Sequence, residues 1–171
     1  MMYDFPPSLA YVLQSEGGLV DDPRDPGGRT NAGVTQHTYD HWRVTRGLRL
    51  RDVADITPDE ESAIYRTMYW APVLGDQLPA GVDYQVFDCG VNSGPYRAAC
   101  LLQQVLNIDV DGYIGPVTVA AARAADPKQL ISAFTQAHLA YLQTRPTWAT
   151  YAHGFTNRAN TVEARADAMI A

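Results

Sequence analysis

The sequence predicts a mainly α-helical protein with one short β-hairpin or irregular loop after its first helix. Three observations carry that expectation. Apolar residues recur at three- and four-residue spacing along most of the 171-residue chain, the period of an amphipathic helix. Helix-start signals repeat at Thr57-Pro58-Asp59-Glu60, Pro95, Gly115-Pro116 and Asp126-Pro127, with proline where a first turn tolerates it. Between residues 19 and 34 the periodicity fails, and Asp21-Asp22-Pro23-Arg24-Asp25-Pro26-Gly27-Gly28 is dense in turn formers.

Taken in order, Ser8 reads as the cap of a first helix running to about Glu16, with Leu9, Val12 and Leu13 on one face. Gly17-Gly18 stops it, since glycine takes a left-handed C-terminal conformation without penalty. The loop that follows has room for a short hairpin. Thr35 caps a second helix over about 36–46, carrying Tyr39 and Trp42. The Thr57 capping box opens a helix that reaches about Trp70 and stops before Pro72. Pro79 opens another, with Val82, Val86 and Cys89 at helical spacing and a break from Gly90 to Gly94. The Pro95 helix presents Ala98, Leu101, Leu102, Val105 and Leu106 as a broad apolar face. Helices then restart at Pro116 and at Pro127, the latter with Ile131, Phe134, His138, Leu139 and Leu142, and a last one spans about 155–170. A seam at 90–95 separates residues 1–94 from a helical part, 95–171, expected to pack into the same globule.

Composition narrows the function classes. The hydrophobic content of 46% is that of a soluble globule, and no run approaches the ~20 apolar residues that span a bilayer. Met1 to Pro7 has neither the basic nor the apolar stretch of a classical signal peptide. Synthesis in the cytoplasm is therefore expected, and a substrate outside it would require another delivery route. A net charge of −6 and a pI near 5.0 argue against nucleic-acid partners and docking on anionic membranes. The same charge predicts weak salt dependence of binding to an anionic wall. Cys89 and Cys100 are too few for a disulfide framework and lack metal spacing, so they read as buried thiols. Asp21, Asp22 and Asp25 lack the alternating ligands of a calcium loop. His37, His41, His138 and His153 are scattered, with no zinc set and no serine or cysteine nucleophile motif. No metal or cofactor is expected, and a monomer is.

The front of the chain carries an acid–carboxylate arrangement. Glu16 lies three and four residues after Leu13 and Val12, at the edge of the apolar face. It also ends a helix, where the macrodipole disfavours negative charge. Both effects favour a protonated carboxyl, which suits a general acid. Asp25 follows in an open glycine-rich loop, where it is expected to stay ionised. Glycoside cleavage uses such a pair, one carboxyl protonated and one not.

The run Glu16-Gly17-Gly18, then Asp25-Pro26-Gly27-Gly28, then Thr30-Asn31-Ala32-Gly33-Val34-Thr35 closely resembles the signature of glycoside hydrolase family 108, the phage-type and bacterial N-acetylmuramidases. The resemblance continues at Ile64 to Trp70, at Phe87-Asp88-Cys89-Gly90-Val91-Asn92-Ser93-Gly94, at the Asp111-Gly112-Tyr113-Ile114-Gly115-Pro116-Val117-Thr118 turn of a predicted peptidoglycan-binding half, and at Gly154-Phe155-Thr156-Asn157-Arg158, where Phe155 replaces a common tryptophan. It implies a lysozyme-like helical fold, cleavage of the β-1,4 bond after N-acetylmuramic acid, and Glu16 as catalytic glutamate. The spacing of Glu16, Asp25 and Thr30 is similar to the Glu–Asp–Thr triad of phage lysozymes, with an Asp-to-Thr interval one residue shorter. Thr30 and Asn31 are therefore alternatives for positioning water, and Asp22 is a rival to Asp25.

Tyr69 and Trp70 are candidates to stack on pyranose rings or to pack in the core. Asp88 and Asn92 are candidates to bind N-acetyl or hydroxyl groups, or to form a turn and cap. Asp111 reads as a turn residue. The expected partner is the peptidoglycan glycan strand, with a holin as the indirect delivery route of an endolysin. A chitinase-like glycosidase on the same fold competes with this reading, as does a non-catalytic wall binder or secretion accessory.

Overall fold

The computed structural model describes residues 4–15 and 29–170. Its elements are α1 (Phe5–Ser15), β1 (Thr30–Asn31), β2 (Val34–Thr35), α2 (Gln36–Val44), α3 (Pro58–Tyr65), α4 (Val82–Ser93), α5 (Pro95–Val105), α6 (Pro116–Ala124), α7 (Pro127–Gln143) and α8 (Trp148–Met169). The fold is mainly α, as expected, with a two-stranded antiparallel hairpin that pairs Thr30 with Thr35 and Asn31 with Val34. No helix among the described residues is long and apolar enough to cross a membrane. Chain contacts divide the protein into two units: Met1–Ser8 with Met68–Ala171, and Leu9–Thr67.

In the Leu9–Thr67 unit, the hairpin turns through Ala32 (φ 48°) and Gly33 (φ 74°). Two positive φ values suit the strands' right-handed twist. Thr35 caps α2 as its sequence signals, accepting from the Thr38 N–H. Both halves of the Thr57–Glu60 capping box form. Glu60 does more than cap: its carboxylate pairs with Arg43 and Arg51 and accepts from the Tyr39 hydroxyl. Burial pushes the Glu60 carboxyl up. Hydrogen bonds from Thr57 and Tyr39 and the Arg51 charge outweigh that and hold it below the ordinary carboxylate value. Its contribution to stability is thus present above the unfolded value and lost as pH falls through the folded one. Glu60→Gln leaves two guanidiniums without a counter-charge. It is expected to cost about 2 kcal/mol and to lower the thermal midpoint by about 6 °C, measurable by circular dichroism.

In the other unit, α4 is buried along its run from Val82 to Gly90, the pattern of a central helix. It packs on α5, α7 and α8. Phe5, Trp70 and Phe87 form an aromatic cluster with ring centroids 5.2–5.8 Å apart, which assigns Trp70 to the core. Gly75 belongs to that packing, because a Cβ there would lie 2.3 Å from the Trp70 ring. Cys89 and Cys100 are buried free thiols.

Several boundaries differ from expectation. Ser8 is not a cap. Helix α1 begins at Phe5, takes Pro6 and Pro7 in its first turn, and buries Ser8 with its N–H donating to the Asp4 carbonyl. Gly90 does not break α4, which ends at Gly94 (φ 90°); packing against Val73 and Pro95 outweighs glycine's weak helix propensity. Beyond Tyr65 the chain continues as a π-helical turn, Arg66–Trp70. Helix α8 starts at Trp148, not near 155. There Trp148 stacks on Phe155 and Tyr151 meets the same ring edge-on, carrying the helix through Gly154.

Two buried groups titrate in opposite senses. Burial, with Asp4 close by, pushes the Asp83 carboxyl up to about 7. Burial, with the Arg158 charge, pushes His138 down to about 4. The folded state holds the Asp83 proton where the unfolded chain has lost it, so this group's contribution falls as pH rises from about 4 to 7. The folded state refuses the His138 proton that the unfolded chain takes up, so that contribution falls as pH drops from about 6.5 to 4. The two oppose each other in one window. Asp83→Asn is expected to leave stability unchanged at pH 4 and to raise it by about 3 kcal/mol at pH 8. Urea melts at the two pH values check this.

Candidate active site

Thr30 and Asn31 sit together on β1. The Asn31 amide donates to the Val53 and Ala54 carbonyls at 3.2 and 3.4 Å, pinning the hairpin to the 3-10 turn Val53–Asp55. The Tyr65 hydroxyl donates to the Ala32 carbonyl at 2.9 Å and holds the turn from α3. The hairpin that carries Thr30 is thus fixed at two points by groups distant in sequence. Thr30 and Asn31 are half-buried. Tyr69 lies half-buried in the π-helical turn.

Asp88 and Asn92 fall one turn apart at the end of α4. Asp88 is 3% exposed and receives Nη2 of Arg158 on α8 at 2.9 Å. Burial pushes its carboxyl above the ordinary value despite the guanidinium charge. The pair walls a small cavity, with His138, Thr135 and Gln85 as further polar groups and Leu142, Phe155 and Val162 as apolar ones. Gln85 donates to Thr135 Oγ1 at 2.7 Å and to the Ile131 carbonyl at 3.0 Å. Ser93 Oγ lies 3.3 Å from His138 Nε2.

Asn92 also lines two surface grooves that open beside this cavity. One runs past Ser93, Tyr141, Arg145, Thr147 and Phe155, the other past Thr147, Tyr151, Gly154 and Phe155. Trp148 stacks on Phe155 at 6.2 Å and Tyr151 meets it edge-on at 6.1 Å, so the exposed Tyr151 ring is held in place. Asn92 is exposed, and its side-chain Oδ1 accepts from the Ser93 hydroxyl at 2.9 Å. An amide donor beside fixed aromatic faces suits an N-acetylated pyranose, whose ring stacks and whose acetamido oxygen accepts.

Residues 9–94 match the family described as Glycosyl hydrolase 108. The chain belongs to glycosyl hydrolase family 108. It is also similar to Brucella abortus SagA, whose solved structure shares 39% identity and a TM-score of 0.86 over 99% of this chain and 97% of that one. A search of curated proteins gave no match. The protein is therefore a glycoside hydrolase with the lysozyme-like helical fold that its sequence implied.

The matched segment of this family 108 hydrolase contains all eight residues singled out from the sequence: Glu16, Asp22, Asp25, Thr30, Asn31, Tyr69, Asp88 and Asn92. Glu16, Asp22 and Asp25 lie outside the described residues. Of the rest, the structure joins Thr30 with Asn31 and Asp88 with Asn92. Sequence reading did not single out Arg158 as the partner of Asp88, nor Tyr141, Arg145 and Tyr151 in the grooves. The Asn157-Arg158 box was a usable signal for the first. Residues meeting Asn92 from α7 and α8 leave no local trace. Among the described residues, no group of three His, Cys, Asp or Glu side chains is placed to hold a metal.

Proposed function

We propose that this hydrolase cleaves peptidoglycan at the β-1,4 bond between N-acetylmuramic acid and N-acetylglucosamine, with Glu16 as general acid. The observation that carries the reading is the family match, which spans the Glu16-to-Thr35 motif. Glu16 protonates the glycosidic oxygen. Asp25 stabilises the oxocarbenium-like transition state or orients the attacking water, and Thr30 helps hold that water. The Asn92 grooves, with their fixed aromatic rings, supply sugar contacts. The test is mass spectrometry of purified peptidoglycan after incubation with the wild-type protein, with chitin oligomers in parallel. Reducing-end muramic acid is expected. Reducing-end glucosamine, cleavage of chitin alone, or no product would overturn the assignment.

A further inference from the structure

We infer that Arg97 and Arg145 form a carboxylate-binding site for the acidic substituent of muramic acid, a reading that rests on peptidoglycan being the substrate. The chain has a net charge of −6, and four of its other arginines meet acids: Arg29 with Asp52, Arg43 and Arg51 with Glu60, Arg158 with Asp88. Among the described residues Arg97 and Arg145 have no such partner. Both guanidiniums lie over the same ring, that of Tyr141, at 4.5 and 5.8 Å from its centroid. Two like charges held at one ring in an acidic protein require an explanation.

Helix electrostatics explains only one of them. Arg145 follows the C-terminus of α7, where a cation is favoured. Arg97 lies in the first turn of α5, where a cation is disfavoured. Stacking on Tyr141 orients the guanidiniums and leaves their N–H edges available for bidentate binding of a carboxylate. Tyr141 and Arg145 line the groove that begins at Asn92, so an anion held there belongs to the same ligand as a sugar at Asn92. In a wall glycan that anion is the lactyl carboxylate of muramic acid or, when a peptide extends it, a peptide carboxylate. Chitin has neither. The pair thus selects the muramic-acid polymer over neutral chitin, and does so with a local positive field opposite in sign to the whole molecule's.

The test is calorimetric binding of three ligands to the wild-type protein and to R97Q/R145Q: a peptide-bearing N-acetylglucosaminyl-muramic acid disaccharide, the same disaccharide with a free lactyl group, and chitobiose. The wild type is expected to bind at least one acidic disaccharide about tenfold more tightly than chitobiose. Added salt should narrow that margin. R97Q/R145Q should lose the margin, with the acidic ligands weakened far more than chitobiose. Preference between the two acidic ligands identifies which carboxylate is read. Equal affinity of both proteins for the acidic ligands, or an equal loss on chitobiose, overturns the site. Arg145 is exposed, so R145Q alone serves if the double variant folds poorly. Because the readout is binding, absence of hydrolysis would remove the proposed reaction without deciding this site.

Discussion

Glu16→Gln is expected to lower peptidoglycan hydrolysis about 10³-fold while leaving the protein folded. Glutamine keeps the volume and polarity of glutamate but has no acidic proton for the leaving oxygen, and general acid catalysis contributes about 10²–10⁴-fold. The motif also offers two second carboxylates, Asp22 and Asp25. Asparagine at each separates them: the one that stabilises the transition state should lose activity on the scale of Glu16→Gln, whereas a turn-forming aspartate should lose little. The measurement is the initial rate of reducing-end release, with circular dichroism to establish folding. More than a tenth of wild-type activity in a folded Glu16→Gln would place the acid elsewhere.

How much of this was readable in the chain depended on the range of the physics involved. Thr35, Thr57-Pro58 and Asp126-Pro127 announced their helices because a cap is a contract between residues three apart, and each formed. Ser8 misled because tertiary packing buries it within the first helix, a choice that its cap-forming hydroxyl does not announce. Gly90 misled for the same reason. The sequence motif from Glu16 onward identified the family, since that motif is contiguous. The groove was not readable: Asn92 comes from α4, Tyr141 from α7 and Phe155 from α8, with Arg97 of α5 over the Tyr141 ring, and no local pattern links them. Asp88 was legible as a special residue, but its neighbour on the fold is Arg158, 70 positions away.

That pairing leads to the second large effect. Asp88→Ala is expected to cost about 4 kcal/mol, because it takes the Asp88 counter-charge from the partly buried Arg158 guanidinium beside a small cavity. The thermal midpoint should fall by about 12 °C. Burial raises the Asp88 carboxyl in spite of Arg158, so the attraction does not repay the desolvation of the ionised form. The pair is thus costly to break and cheap to replace whole. Asp88→Leu combined with Arg158→Met should recover most of the lost stability, since neither member of the ion pair is left behind without the other. The recovered variant then decides what Asp88 does. If hydrolysis returns with stability, the ion pair only tethers α8 to α4. If the variant is stable but its KM for peptidoglycan stays raised, Asp88 or Arg158 also serves substrate, directly or by holding Asn92 in place. Thermal melts and steady-state kinetics on the two single variants and the double supply both readings.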